Sequence, residues 1–227
     1  MRYRAVVFDL GGVLLDSESA HEAAARRAAA QLGLQVPEQG WPRLRGGAYE
    51  DFFDYVLSLP GNSGCAVPPM EVVLLAYDLY HDEVRRSARL FDDALGSLQA
   101  ARAAFRFVAL ATSSEWRLVE TALRQFALAG LFDAVICGDH LTQRKPAPEV
   151  YLVTAWLLGV RPSGMVAVED SAPGARAARR ARAHTIGLAT NCDAHALHAA
   201  GAHCVVRDHA QLTERLRSLG TAAEATG

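Results

Sequence analysis

Five short runs of β-branched and aliphatic residues, each ending abruptly in a polar or small residue, constrain this chain more than any other feature. They are RAVVFD (4–9), FVALAT (107–112), AVIC (134–137), MVAVED (165–170) and HTIGLA (184–189). Each is shorter than an ordinary helix and has the unbroken apolar character of a strand buried on both faces. Between most of them lie stretches with apolar residues at three- and four-residue spacing, such as 114–128 and 148–159, which read as helices. Alternation of the two implies an α/β fold, a three-layer Rossmann-like parallel sheet with helices on both faces. In such sheets ligands gather at the carboxyl ends of the strands, near the point where strand order reverses. Asp9, Thr112, Glu169 and Asp170 all fall at such ends.

One interval breaks the alternation. From about Asp16 to Leu90 the periodicity is helical, over 19–34, 48–59 and 70–90, and no good strand is visible. An α-helical cap domain inserted after the first strand explains this, folded as a small bundle. The expected division is 1–15 and 91–227 for the catalytic core and 16–90 for the cap. Pro37, Pro60, Gly61, Gly64 and the Pro68-Pro69 pair mark the turns of the cap. The tail from Thr221 carries no packing signal and is expected to fray.

Composition narrows the function classes. With 51% hydrophobic and 21% charged residues the chain has the makeup of a soluble globular protein. A formal charge of -2 and no basic block give no footprint for nucleic acid or an anionic membrane, which leaves a small soluble partner. No segment approaches the roughly 20 apolar residues of a membrane span. Cys65, Cys137, Cys192 and Cys204 are scattered without ligand-like spacing, as expected of reduced thiols in a cytoplasmic protein. A monomer or weak homodimer is expected.

The chemistry lies in a constellation taken in chain order. Asp9 closes the first strand in FDLGGVLLDSE, Thr112-Ser113-Ser114 closes the next, Lys145 follows in RKPAPE, and Glu169-Asp170 follow in VAVEDSAPG. With these four motifs, from Val6 to about Leu212, the sequence resembles the haloacid dehalogenase superfamily, in its phosphatase and sugar-phosphate mutase (beta-phosphoglucomutase-like) branch with a helical cap. The resemblance implies that Asp9 is the nucleophile, taking up the phosphoryl group as an aspartyl phosphate. It implies Mg²⁺ on Asp9, Asp170, Glu169 (directly or through water) and the backbone carbonyl of Gly11, because a hard divalent cation cancels the repulsion between two anions. Lys145 would neutralise charge on Asp9 and the transferring group, and Thr112, with Ser113 nearby, would hydrogen-bond a phosphoryl oxygen.

Gly11 is the departure from that pattern. Most phosphatases of the branch carry a second Asp two residues after the nucleophile, which protonates the leaving oxygen and later activates water. Glycine deletes that side chain and keeps the carbonyl, and losing a positioned acid/base costs about 10²- to 10⁴-fold in rate. Three explanations follow: a leaving group that needs no proton, such as an acyl, enol or aryl phosphate; another acid, Asp16 or one from the cap; or lost activity. In the cap, His21 near the hinge and Arg45 before Gly46-Gly47 are substrate-binding candidates, with helix-surface and solvated-charge roles as their alternatives. Mutases of the family tend to hold a second phosphate with a cap arginine where this chain has Tyr49. The expected function is therefore a Mg²⁺-dependent hydrolase of a small phosphorylated metabolite. A sugar-phosphate mutase, or a low-activity phosphometabolite-binding pseudo-enzyme, is the alternative. His195, His198, His203 and His209 lack metal-ligand partners in the sequence and read as structural.

Overall fold

All five apolar runs form strands, and a sixth joins them: β1 (Ala5–Phe8), β2 (Phe107–Ala111), β3 (Ala134–Ile136), β4 (Met165–Glu169), β5 (His184–Leu188) and β6 (Cys204–Val206). The computed structural model describes residues 3–44 and 47–221. Every pairing in the sheet is parallel, in the order β3-β2-β1-β4-β5-β6. Strand order therefore reverses between β1 and β4, the two strands that end in Asp9 and in Glu169-Asp170. β6 is absent from the sequence reading because Cys-Val-Val is too short a run to separate from loop.

The helices are α1 (Glu18–Gln31), α2 (Tyr49–Ser58), α3 (Pro69–Ser87), α4 (Ala94–Ala104), α5 (Trp116–Gln125), α6 (Glu149–Leu157), α7 (Ala172–Arg180), α8 (Ala194–Ala199) and α9 (His209–Thr221). α9 carries ordered helix to the residue where the sequence suggested fraying; residues 222–227 lie outside the described part. The chain divides into two compact units, Met1–Asp16 with Leu90–Gly227, and Ser17–Arg89. No helix among the described residues is long and apolar enough to cross a membrane.

In the sheet unit, period-two alternation decides what each face meets. Ala5, Val7, Ala109, Ala111, Met165 and Ala167 point to one face, where they pack against Val150, Tyr151 and Ala155 of α6 and Ala177 and Ala178 of α7. Val6, Phe8, Val108, Leu110, Val166 and Val168 alternate with them and are equally buried, so β1 and β4 have no exposed residue. Continuing the alternation one residue past β1 sets Asp9 on the α6 face, and the last residue of β4 sets Glu169 there too. The turns are held by side chains as well as by backbone: the Glu149 carboxylate accepts from the amides of Thr142 (3.1 Å) and Gln143 (2.6 Å), and these bonds hold its pKa below the ordinary carboxylate range.

The helical unit has its own core, built from alanines of α1 and aromatic residues of α2 with Val72, Val73, Ala76 and Leu79 of α3. Small residues on α1 let the helices approach closely. Asn62 ties its turns: Nδ2 donates to the carbonyls of Gln35 (2.9 Å) and Val56 (2.8 Å), and Oδ1 accepts from the Gln35 amide (2.7 Å). Tyr49 is fully buried, and its hydroxyl donates to the His21 carbonyl at 2.9 Å. The His21 ring stacks on Tyr49, centroids 4.2 Å apart, and meets Tyr80 edge-on at 5.3 Å.

Burial lowers the His21 pKa to about 4, so at neutral pH the ring is uncharged. Its ordinary value is 6.5, which the unfolded chain recovers. The unfolded state therefore gains a proton first as pH falls, and the stability that neutral His21 contributes is complete above about pH 6.5 and drains away toward pH 4. His21→Phe keeps a stacking ring without the titration. Its thermal unfolding midpoint should fall less steeply than wild type between pH 7 and 4.5, with about 2 kcal/mol less stability lost at pH 4.5. Parallel curves for the two proteins would show that the His21 proton is not coupled to folding.

Candidate active site

The loop after β1 begins with Asp9, whose amide still donates to the Val168 carbonyl (3.1 Å), so the side chain leaves from the sheet itself. Beyond it the chain turns tightly. Gly12 donates to the Leu15 carbonyl (2.9 Å), and the amides of Leu14 and Leu15 both donate to the Leu10 carbonyl at 2.9 Å. This turn requires a positive φ, +73°, at Gly12 and not at Gly11. A Cβ on Gly12 would lie 1.9 Å from Asp170 Oδ2 and 2.3 Å from Asn191 Nδ2, so the second glycine of the pair is demanded by both space and conformation.

Lys145 reaches Asp9 from the loop before α6. Its ammonium donates to Asp9 Oδ1 (2.8 Å) and to the Ala111 carbonyl (3.0 Å), and pairs with Glu169 Oε1 (2.6 Å). The Lys145 side chain is 7% exposed and that of Glu169 is 0%. Burial alone would lower the lysine's pKa, but the carboxylates of Asp9 and Glu169 outweigh it and hold the ammonium charged well above its usual range. Glu169 sits where almost nothing else fits. Tyr151 of α6 donates its hydroxyl to Oε1, and a Cβ on Gly174 would lie 1.8 Å from Oε2, so the carboxylate lies over the first turn of α7. That turn is capped by Ser171, which accepts from the Gly174 amide at 3.2 Å, and not by Glu169 or Asp170.

Asp9, Glu169 and Asp170 each offer an oxygen, and these oxygens lie within 4.8 Å of one another. With all three ionised and Lys145 charged, the cluster carries a net charge of -2 (three carboxylates, one ammonium). Burial pushes the Glu169 carboxyl up to about 7 in spite of Lys145. Burial, and then the neighbouring carboxylates, push Asp170 well above the usual carboxylate range. Glu169 Oε2 is buried with no hydrogen-bond partner. A hard divalent cation matches this donor set: it takes oxygen ligands, cancels the net charge and relieves the crowded carboxylates.

Thr112 lies one residue past β2, buried, its amide donating to Ile136 (2.9 Å) and its hydroxyl accepting from the Ser114 amide (3.2 Å). The next residue, Ser113, has a buried hydroxyl without a partner, a group that a phosphoryl oxygen would satisfy. A Cβ on Gly138 would lie 2.6 Å from the Ser113 carbonyl, so the strand-end turn is packed from behind. The structure thus brings together Asp9, Gly11, Thr112, Ser113, Lys145, Glu169 and Asp170 at the carboxyl edge of one sheet. His21 lies in the helical unit against Tyr49, and Arg45 lies outside the described residues. Asp16, the suggested substitute acid, is exposed.

Two residues of this site, Tyr151 and Asn191, are missing from the sequence reading, and a third, His209, is named there only as structural. Tyr151 has the spacing of an ordinary core residue of α6. Asn191 donates from Nδ2 to Asp170 Oδ2 at 2.8 Å. His209 is buried, its Nε2 donating to the Val13 carbonyl (2.8 Å) while Nδ1 accepts from Ser97 (2.9 Å). Burial holds its pKa below the ordinary value. Nothing in a lone Asn or His after a strand distinguishes these from loop and helix-surface residues.

The haloacid dehalogenase-like hydrolase family model matches residues 3–182. The chain is 29% identical to the fructose-1-phosphate phosphatase YqaB of Escherichia coli over 79% of this chain and 93% of that protein. It is 32% identical to the phosphorylated carbohydrates phosphatase of Thermotoga maritima, over 78% of this chain and 81% of that one. Among solved structures, the beta-phosphoglucomutase of Clostridium difficile superposes with a TM-score of 0.76 at 20% identity, over 98% of this chain and 99% of that one, which reflects the shared fold. The strand that ends in Asp9, the buried lysine and the paired acids all lie within the matched residues, and the chain belongs to the haloacid dehalogenase-like hydrolases, in their phosphatase and phosphoglucomutase-like branch.

Proposed function

We propose that the protein is a Mg²⁺-dependent phosphatase that removes phosphate from a small phosphorylated metabolite through an aspartyl phosphate on Asp9. The observation that carries this reading is the buried Lys145 ammonium held between Asp9 and Glu169 with Asp170 beside them. Its burial is compensated by the two carboxylates it pairs with, and beside Asp9 the same charge would meet a phosphoryl group that Asp9 takes up. Relatives named as phosphatases of fructose 1-phosphate and of phosphorylated carbohydrates support a sugar or sugar-like phosphate as substrate.

In this reading an Asp9 oxygen attacks phosphorus, the new O–P bond forms as the bond to the leaving oxygen breaks, and the leaving oxygen departs as an anion that takes its proton from solvent water. Water then attacks the same phosphorus and gives up a proton to solvent, the bond to Asp9 breaks, and inorganic phosphate leaves with the carboxylate restored. Lys145 holds Asp9 in place and meets the negative charge on the transferring group, while Thr112 and Ser113 supply hydroxyls to its oxygens. Asp9, Glu169, Asp170 and the Gly11 carbonyl would hold Mg²⁺, which would supply positive charge to offset that of the two anions. Tyr49, fully buried in the aromatic core of the helical unit, offers no charge for a second phosphate, which favours hydrolysis over mutase action.

Gly11 favours substrates whose leaving group departs without a proton. At residue 11 the backbone does not take the positive φ found at Gly12, so an L side chain there escapes the strain of the left-handed region. Two experiments test the assignment. Asp9→Asn should fold with an unchanged circular dichroism spectrum and lose turnover on a panel of phosphorylated metabolites; full activity in the purified variant would remove Asp9 from the mechanism. Gly11→Asp should raise hydrolysis of alkyl phosphates by roughly 10²- to 10⁴-fold while aryl phosphates gain less. A folded, Mg²⁺-binding variant with no gain on alkyl phosphates would show that the site lacks more than an acid.

A further inference from the structure

The turn after β5, residues 189–193, reaches back into the site at two adjacent positions. Thr190 donates its hydroxyl to the Gly12 carbonyl, and Asn191 donates from Nδ2 to Asp170 Oδ2 at 2.8 Å. The turn is itself pinned, with the Ala189 amide on the Val206 carbonyl (2.9 Å) and the Thr190 amide on the Leu188 carbonyl (2.9 Å). Gly12, Asp170 and Asn191 are packed so closely that a single methyl on Gly12 would collide with both side chains. Thr190 and Asn191 lie beyond residue 182, where the family match ends.

We infer that Asn191 is a positioning residue for the cation site, fixing the rotation of the Asp170 carboxylate against the nucleophile loop that Thr190 grips. This rests on the metal-dependent reading above. The chemistry favours an amide in this place. A lysine or arginine would hold the carboxylate equally well but would cancel negative charge that a divalent cation needs, whereas a neutral N–H orients the oxygen and leaves the charge intact. Outer partners of this kind typically contribute 10- to 100-fold in metal affinity.

The test measures Mg²⁺ binding by titration calorimetry on the substrate-free protein, beside hydrolysis of p-nitrophenyl phosphate as a function of Mg²⁺. Wild type, Asp170→Ala, Asn191→Ala and Asn191→Ser are compared. Asp193→Ala serves as control, because Asp193 caps α8 from the same turn (2.7 Å to the Ala196 amide) without touching Asp170. Asn191→Ala should weaken Mg²⁺ binding 10- to 100-fold and raise the Mg²⁺ needed for half-maximal rate by the same factor. Its kcat at saturating Mg²⁺ should recover, and its KM for the ester should stay unchanged. Asn191→Ser, which keeps a shorter donor, should fall between, and Asp193→Ala should lower the unfolding midpoint while leaving Mg²⁺ affinity alone. Binding in Asn191→Ala equal to wild type, with Asp170→Ala impaired, overturns this inference and leaves the metal site standing. Failure of wild type itself to bind Mg²⁺ overturns both. An Asn191→Ala rate that stays low at every Mg²⁺ concentration, together with a lowered unfolding midpoint, assigns the residue to folding instead, and so overturns the inference.

Discussion

Three buried carboxylates around one buried ammonium is the constraint on which the rest of this structure depends. Asp9, Glu169 and Asp170 come from the ends of two neighbouring strands, and only the parallel register of β1 and β4, Phe8 beside Val168, brings them together. Left alone, such a cluster would force the strand ends apart or take up protons. Lys145 restrains it by bridging two of the three acids. Tyr151 and the first turn of α7 crowd Glu169, and Gly174 is the small residue that lets them do so. The strained electrostatics are thus held by apolar packing of α6 and α7 on the sheet, where Ala5, Val7 and Ala167 supply the contact surface. Stability spent on the core is what permits charge to be gathered at its edge.

The loop after Asp9 shows a second kind of restraint. Its carbonyls are taken in sequence: Gly12 by the Thr190 hydroxyl, Val13 by His209, Leu14 by the Phe91 amide and Leu15 by the Gly12 amide. A loop so fully bonded cannot rearrange piecemeal, because releasing any one carbonyl in a buried setting costs about 1–3 kcal/mol. The position of Asp9 is therefore set by groups scattered over the whole sheet unit, and the glycines serve geometry: Gly12 makes the turn, and Gly11 removes a side chain while leaving a peptide.

Much of this was readable from the residues. The strand ends at 9, 112 and 169–170 follow from apolar runs that stop short, and those runs are what a sheet buried on both faces demands. The resemblance then grouped Asp9, Thr112, Lys145 and Asp170, and the structure places them along one sheet edge. What escaped was whatever depends on a single contact across long sequence separation. Asn191 meets Asp170 from 21 residues away and His209 meets Val13 from 196, and neither residue sits in a periodic pattern that would mark it. β6 escaped for a related reason, since an edge strand of three residues gains its identity from its neighbour β5. His21 looked available for a ligand because sequence does not show that a tyrosine 28 positions later lies flat against it.

Protein synthesis runs from Asp9 toward His209, and the order has a consequence for the growing chain. The central strand β1 is made before its neighbours, which begin at Phe107 and Met165, so it emerges long before either can pair with it. By residue 182 every acid and the lysine have been made, but the partners of Gly12 and Val13, 178 and 196 residues downstream, have not. A nascent chain at that stage carries the three acids and the lysine, with Gly12 and Val13 not yet held by Thr190 and His209. The loop after Asp9 is in this way gripped only once the chain has been made through Thr190 and His209, so the acids and the lysine precede the restraints on that loop.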